Sequence, residues 1–205
     1  MFRKSNSQNH QVLYDNKFSQ KGVPDLLGRK YLHFGKIISL LKPKPKEKIL
    51  DVGCNRGGLV KEIRLVCPEA EVLGCDINAD AISASDVPGL YVMHANKLEY
   101  PENSFDKIVS SHTIEHVPDV AEALEEMRRV LKPGGICVLV YPFEIFRGSN
   151  NLFSAWRAHG NPMVARKFHL HRLNPDKIKK LTSMKIIRRG LFYGPYPTHF
   201  TVLQK

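Results

Sequence analysis

The stretch DVGCNRGGLV, residues 51–60, decides how the rest of the sequence is interpreted. It follows the apolar pair Ile49 and Leu50 and contains three glycines, Gly53, Gly57 and Gly58. This pattern is typical of a short buried strand, a tight turn and the start of a helix, because glycine permits the turn and a close ligand approach. The turn is therefore predicted to bind a ligand at the end of a first strand.

Strands and helices are predicted to alternate around this turn. An amphipathic helix over residues 26–41 precedes it, and the segment KPGG, residues 132–135, is predicted to end the last helix of the alternating region. The predicted strands are KILDVG, EVLGCDI, LYVMHA, FDKIVSSH and ICVLVYPF, and the helices between them are GLVKEIRLVC, DAISASD and DVAEALEEMRRVL. A helix in NPDKIKKLTSM and the strand pair KIIRRGLFYG and THFTVLQK follow. Such alternation gives an α/β fold with a parallel sheet and helices on both faces.

Length and composition are those of one globular domain. The 205 residues are 42% hydrophobic and 25% charged, with no apolar run of the ~20 residues that a membrane span needs. The polar start, MFRKSNSQNH, does not resemble a signal peptide, and the four cysteines form no CxxC pair. We therefore expect a reduced, cytoplasmic, single-domain protein. Its expected parts are an arm and helix (1–47), a cofactor-binding core (48–146), a lid (147–172) and a terminal helix with a strand pair (173–205).

Charge is unevenly distributed along the chain, whose net charge is +11. Residues 1–48 carry 11 Lys/Arg against 3 Asp/Glu, residues 49–146 carry 8 against 16, and residues 147–205 carry 12 against 1. One interpretation is a solvated basic surface. The other is a basic face over the binding site, which would favour an anionic substrate.

Three ligands compete for the glycine turn. A nucleoside triphosphate requires a P-loop lysine and Ser/Thr, but Leu59 and Val60 follow the glycine pair. A dinucleotide prefers G-x-G-x-x-G, but Asn55 replaces the middle glycine and Asp51 would bring a carboxylate near the phosphates. S-adenosylmethionine carries an ammonium beside a sulfonium, and a carboxylate suits both cations. Asp51 therefore favours S-adenosylmethionine.

Asp76 is the second predicted ligand contact. It ends the second predicted strand, in GCDIN, where a carboxylate can accept both hydroxyls of a ribose. This position favours a ligand that contains adenosine. The alternative is that Asp76 only caps the helix that follows.

The chain resembles the class I S-adenosylmethionine-dependent methyltransferases of the small-molecule type. The resemblance runs from about Lys48 to Phe143, through ILDVGCNRGG, GCDIN, PENSFDKIVSSHTIEHV and RRVLKPGG. It implies a Rossmann-like three-layer sandwich, whose seven-stranded, mostly parallel sheet has an antiparallel last strand, and S-adenosylmethionine as the cofactor. The implied cofactor contacts are Asp51, Gly53, Asn55, Gly57, Asp76, Ile77, His94, Ala95, Asn96 and Ser111.

One position departs from the family pattern. Family members usually have an acidic residue after the third strand, near the adenine, and His94 stands there in MHANKLEY. The side chains of His94 and Asn96, or the backbone of Ala95, are the predicted adenine contacts instead.

Two histidines follow the fourth predicted strand. Methyl transfer from a sulfonium mainly requires positioning and exclusion of water, and a base is needed only when the acceptor must lose a proton. His112 is the predicted base or orienting residue; the alternative is a polar loop residue. His116 lies four positions further, a spacing that suggests a metal, but the sequence offers no third ligand and family members commonly have a histidine there. We therefore predict no metal and interpret His116 as structural.

Residues 147–172 are predicted to build the acceptor pocket, since they combine aromatic residues and histidines with several arginines and lysines. The alternative is a surface insertion with a small apolar anchor. The predicted substrate contacts are Trp156, His159, His169 and His171.

Three functions remain open from the sequence. The leading one is methylation of a small, anionic metabolite or of a lipid- or sugar-linked acceptor. RNA methylation is the second, because basic segments with aromatic residues suit nucleic acid, but SSHT replaces the [DN]-P-P-[FYW] signature of amino-methylating nucleic-acid enzymes. The third is a non-catalytic subunit that binds the cofactor and stabilises a partner.

Overall fold

The computed structural model describes residues 29–145, 156, 160–161, 163, 169–193 and 197–205. The predicted N-terminal arm up to residue 28 and most of the predicted lid, including His159, lie outside the described residues. The helices are α1 (Arg29–Leu41), α2 (Gly58–Val66), α3 (Ala79–Ser83), α4 (Val120–Val130) and α5 (Pro175–Leu181). The strands are β1 (Lys48–Val52), β2 (Glu71–Asp76), β3 (Leu90–Val92), β4 (Phe105–Ser111), β5 (Leu131–Pro142), β6 (Lys185–Phe192) and β7 (Thr198–Gln204).

All seven strands form one sheet in the order β3-β2-β1-β4-β5-β7-β6. The pairs among β1 to β5 are parallel, and β7 lies antiparallel between β5 and β6. The predicted Rossmann-like fold with an antiparallel last strand is therefore confirmed. The order reverses between β1 and β4, and ligands of open α/β sheets bind beyond the carboxyl ends of the strands at such a point.

Two apolar cores lie on opposite faces of the sheet. On one face, Ile37 of α1 and Ile63 of α2 pack with Val109 and Val138 of the central strands. On the other, α4 and α5 contribute side chains such as Leu124 and Ile178, which pack with Ile108 and Leu139. The alternation of buried residues on β4 and β5 thus supplies both cores, which gives the predicted three layers.

Side-chain caps define where two of the helices begin. Asp119 accepts hydrogen bonds from the amides of Ala121 and Glu122 at the start of α4, and Asn174 accepts one from Lys177 at the start of α5. Pro175 occupies the first turn of α5, where its missing amide hydrogen costs nothing.

The end of α4 differs from the sequence prediction. The helix ends at Val130, and KPGG lies within β5, which starts at Leu131. Leu131 already pairs with Phe105 of β4, and the register then shifts so that Ile136 pairs with Lys107. The early pairing of Leu131 therefore ends the helix before the glycines are reached.

All four cysteines are free and buried. Among the described helices, none has the length and apolar character to cross a bilayer.

Candidate functional site

The glycine turn after β1 is held against the end of β2 by backbone hydrogen bonds. The amides of Gly53 and Cys54 both donate to the carbonyl of Cys75, at 2.7 and 3.0 Å. Gly53, Asn55 and Gly57 have positive φ angles of 85°, 50° and 74°. A side chain at position 53 would also overlap that of Thr113, so this turn requires glycine there for both conformation and space.

Asp51 lies in β1 directly before this turn. Its residue is 3% exposed, and its carboxylate accepts no hydrogen bond within the described part of the chain. Burial, followed by repulsion from Asp76, raises the pKa of Asp51 to about 8. A buried carboxyl of this kind is stabilised as a carboxylate when a cation binds beside it.

Asp76 ends β2, in register with β1 through the pairing of Val52 with Cys75. One carboxylate oxygen accepts the amide of Asn55 at 2.7 Å, and the other accepts the amide of Asn78 at 2.9 Å. The cap of α3 is Asn78, whose side chain accepts from Ala81, so the alternative of Asp76 as the helix cap does not hold. Each oxygen of a carboxylate has a second lone pair for a ligand hydroxyl.

The other predicted cofactor residues surround the same edge of the sheet. Ile77 follows β2 with 42% of its surface exposed, and His94 is exposed in the loop after β3. Ala95 packs against the core beneath that loop. The side-chain nitrogen of Asn96 donates to the carbonyl of Asp119 and to Glu122, which leaves its oxygen for an adenine edge. Ser111 ends β4 and is half-buried.

His112 follows β4 in a left-handed conformation, with φ 54°. Its amide donates to the carbonyl of Val140, which fixes the backbone, and its side chain is 46% exposed. Its Nδ1 lies 3.5 Å from Oε1 of Glu115, whose side chain is 2% exposed. The loop from 112 to 119 contains turns and no helix, so the spacing of His112 and His116 is not a helical one.

Glu115 is the residue that the sequence analysis missed. Burial alone would raise the pKa of its carboxyl, but the contact with His112 and the charges of His116, His112 and His169 outweigh burial and lower it. Glu115 is therefore a buried carboxylate surrounded by three histidines. One of these histidines, His169, lies 54 residues after Glu115 in the chain. The spacing of nearby residues in the sequence therefore could not indicate this cluster.

His169 and His171 lie against the loop that follows β4. Nδ1 of His169 is 2.7 Å from Oε1 of Glu144, and both side chains are almost fully buried. Nε2 of His171 lies 2.9 Å from the carbonyl of Val117, to which it donates. Their substrate contact stays a prediction, as does that of Trp156, whose residue is 56% exposed.

Comparison with known families agrees with the sequence resemblance. Residues 50–139 match the family profile described as a methyltransferase domain. This segment runs from β1 into β5 and contains both the glycine turn and the loop of His112. The predicted resemblance to class I S-adenosylmethionine-dependent methyltransferases is thus confirmed.

Named relatives match over part of their length. The chain is 33% identical over 135 residues to the ubiquinone/menaquinone biosynthesis C-methyltransferase of Vibrio cholerae, covering 60% of this chain and 52% of the relative. It is 37% identical over 103 residues to a sterol 24-C-methyltransferase of Gibberella zeae, covering 45% of this chain and 27% of the relative. The chain thus spans about half or less of the length of these relatives.

Solved structures share the fold at low identity. One neighbour is the phosphoethanolamine N-methyltransferase 2 of Haemonchus contortus in complex with phosphomonomethylethanolamine and S-adenosylhomocysteine, with a TM-score of 0.67, 15% identity and coverage of 85% of this chain and 52% of that chain. Another is an S-adenosylmethionine-dependent methyltransferase from Mesorhizobium loti, with a TM-score of 0.65, 18% identity and coverage of 84% and 97%.

Proposed function

We propose that this chain binds S-adenosylmethionine and transfers its methyl group to a small-molecule acceptor. The observation that carries the proposal is the buried carboxylate of Asp51, which accepts no hydrogen bond within the described residues and borders a glycine turn. A dinucleotide would bring its pyrophosphate to that turn, where the ionised form of Asp51 would repel it. A ligand with an ammonium and a sulfonium would instead relieve the cost of burying the charge.

The residues at the carboxyl ends of the strands fit the ribose, the adenine and the amino-acid part of this cofactor. Asp76 is fixed by the amides of Asn55 and Asn78 and offers its second lone pairs to the ribose hydroxyls. Ile77 offers an exposed apolar surface to the adenine ring, and His94 or Asn96 meets the adenine edge. The turn at Gly53 and Gly57 lets the amino-acid part approach the backbone.

S-adenosylmethionine, when bound, would supply the methyl group of its sulfonium to the acceptor atom, and its sulfur would leave as the neutral thioether of S-adenosylhomocysteine. The protein then has to position the acceptor atom and exclude water. His112 lies at the carboxyl end of β4, exposed toward solvent and backed by Glu115 at 3.5 Å. This arrangement suits a base that takes a proton from the acceptor while Glu115 orients the ring.

We further propose that the methyl acceptor is a small, anionic molecule. By their names, the relatives given above are a ubiquinone/menaquinone biosynthesis C-methyltransferase and a sterol 24-C-methyltransferase, and the Haemonchus contortus neighbour is in complex with phosphomonomethylethanolamine, so these proteins differ in their small molecules. Fewer basic residues of 147–205 can face the acceptor than the sequence suggested, because some of them lie away from the site. Lys185 pairs with Gln204, which pairs with Ile136, so Lys185 and Lys205 lie at the opposite edge of the sheet.

Labelled cofactor tests the acceptor class directly. The chain is incubated with methyl-labelled S-adenosylmethionine and either a metabolite extract or total RNA, with Asp76→Ala as the inactive control. Label in an anionic metabolite fraction is the expected result. Label in RNA would favour the RNA alternative, and absence of transfer to every fraction would favour a non-catalytic subunit.

Salt and substitutions then test the charge of the acceptor. Activity should fall as salt rises toward about 1 M, where the screening length is about 3 Å. Replacing Arg166 and Lys167 by Gln should raise the Michaelis constant for the acceptor, whereas Lys185→Gln at the far edge should not. Equal effects of both changes would contradict an anionic acceptor at this site.

A further inference from the structure

A second cluster of chemically active side chains lies behind His112. Donor atoms of Glu115, His116 and His169 all lie within 4.8 Å of one another, and Oε1 of Glu115 is 3.8 Å from Nε2 of His116. The rings of His116 and His169 meet edge to face, with their centroids 4.9 Å apart. Nitrogen and oxygen ligands of zinc lie about 2.0–2.2 Å from the ion, so small side-chain rotations would bring these donors to a shared ion.

Glu115 gives an independent reason to expect a cation there. The residue is 1% exposed, and neither carboxylate oxygen has a hydrogen-bond partner among the residues that the structure describes. A buried carboxylate without hydrogen bonds is costly unless a cation compensates it. The nearby histidine nitrogens lie 3.5 and 3.8 Å from Oε1, too far for strong hydrogen bonds.

The surroundings of His169 match those of a metal-binding histidine. Glu144 binds its Nδ1 at 2.7 Å, and a carboxylate on one ring nitrogen fixes the ring and directs the other nitrogen to a metal. The backbone is also fixed, because the amides of Leu170 and His171 both donate to the carbonyl of Glu115, at 2.9 and 3.1 Å. The cluster is therefore preorganised from two distant parts of the chain.

We propose that Glu115, His116 and His169 bind a divalent transition-metal ion of the zinc type, with Glu144 positioning His169. Two imidazoles and one carboxylate are a ligand set that zinc accepts and that magnesium and calcium, which prefer oxygen, do not favour. The ion fastens residues 169–171 onto the loop after β4.

This site differs from a purely structural one in its ligand count. Structural zinc sites have four protein ligands, whereas catalytic sites have three and keep a position for water or substrate. The cluster supplies three ligands, of which Glu115 and His116 lie in the loop of His112 itself. It therefore offers a cation to an anionic acceptor group, an inference that also rests on the proposed function.

Zinc binding to the full chain tests the proposal without any activity assay. The protein is stripped with a chelator, dialysed against Zn²⁺ and analysed for bound metal and affinity. We expect one ion per chain, with at least a tenfold loss of affinity in Glu115→Gln and His169→Asn. Glu144→Gln should weaken binding about 10–100-fold, as expected for a residue that orients a ligand. The matched control His199→Asn, on β7, should bind as the wild type does.

Spectroscopy on the wild type keeps the test decisive if a variant fails to fold. X-ray absorption of the bound ion should show two imidazoles and a further light ligand. Sulfur ligands would overturn the proposal, since the ion would then be held by buried cysteines. No retained ion, or equal binding by wild type and Glu115→Gln, would also overturn it.

Discussion

The carboxylate of Asp76 accepts a hydrogen bond of 2.7 Å from the backbone amide of Asn55. This bond joins the end of β2 to the glycine turn after β1. Within that turn, Asn55 has a φ of 50°, which is uncommon for a residue other than glycine. Asp76 therefore shapes the turn as well as offering oxygens to a ribose. A substitution at Asp76 should affect the turn and the ligand together.

Asp76→Ala should weaken the binding of S-adenosylhomocysteine by roughly 1.5–3 kcal/mol for each charged hydrogen bond lost. Asp76→Asn should not restore full affinity, because its NH₂ group cannot accept the amide of Asn55 or Asn78. Calorimetric titration measures both variants, with Asp86→Ala, an exposed acid between α3 and β3, as the control. Unchanged affinity in Asp76→Ala would show that the ribose lies elsewhere.

Asp51 should make the stability of the ligand-free protein depend on pH. Burial raises its pKa from 3.8 to about 8, so between these values the folded state binds more protons than the unfolded state. Stability contributed by this residue is therefore lost as pH rises from about 4 to 8, by at most about 1.4 kcal/mol per pH unit. Asp51→Asn does not titrate, so its advantage over the wild type should grow from pH 5 to pH 8 in chemical denaturation.

Ionisation of Asp51, which destabilises the ligand-free protein, should favour binding of the cofactor. The ammonium of S-adenosylmethionine favours the ionised form of Asp51, so wild-type affinity should rise toward pH 8 relative to Asp51→Asn. The variant serves as reference because the ligand's own titration is common to both proteins. A constant ratio of the two affinities across this range would contradict a cation beside Asp51.

Gly53 and Gly35 form a matched pair for the conformation of the turn. Gly53→Ala forces a side chain into a φ of 85° and against Thr113, so it should destabilise the fold by roughly 1–3 kcal/mol or more. Gly35→Ala lies in α1 with nothing near the added methyl group and should stabilise by about 0.5–1 kcal/mol. Urea denaturation distinguishes them, and equal effects would mean that the turn is not constrained.

His112→Asn should lower kcat by about 10²–10⁴ and leave the affinity for S-adenosylhomocysteine unchanged, since the proposed base touches the acceptor. Asparagine is suited to this position because it tolerates positive φ, so the backbone at 54° is retained. Steady-state kinetics with methyl-labelled S-adenosylmethionine and the acceptor that it labels measures the effect, with His199→Asn as the control. A wild-type kcat in His112→Asn would contradict a role as base and show that His112 is only a polar residue of the loop.

The sequence predicted the fold well because its signals are local. The strand ending at Asp76 and the helix beginning at Gly58 follow from residues within a few positions of each end. The predicted end of α4, Leu131, lies one residue beyond the observed end, Val130, but KPGG was wrong as the terminator because pairing of Leu131 with Phe105, a tertiary contact, places KPGG in β5. Local patterns therefore determine which elements exist, and strand pairing determines where they stop.

The site behind His112 was not predictable in this way. From the sequence alone, Glu115 is indistinguishable from an ordinary residue of a polar loop. Its burial is evident only from the folded structure. Its neighbour His169 comes from 54 residues away, beyond the reach of any spacing rule. The sequence prediction of no metal considered His112 and His116 alone, whereas the proposed metal site depends on Glu115 and His169, which the fold brings to His116.

Calorimetric titration of the chain with S-adenosylhomocysteine, S-adenosylmethionine and NAD tests the central claim most directly. One site per chain for the first two ligands, and none for NAD, is the predicted result. A ligand at a hundredfold excess over its dissociation constant should also stabilise the fold by about 2.7 kcal/mol. Binding of NAD without binding of either sulfur ligand would contradict the account.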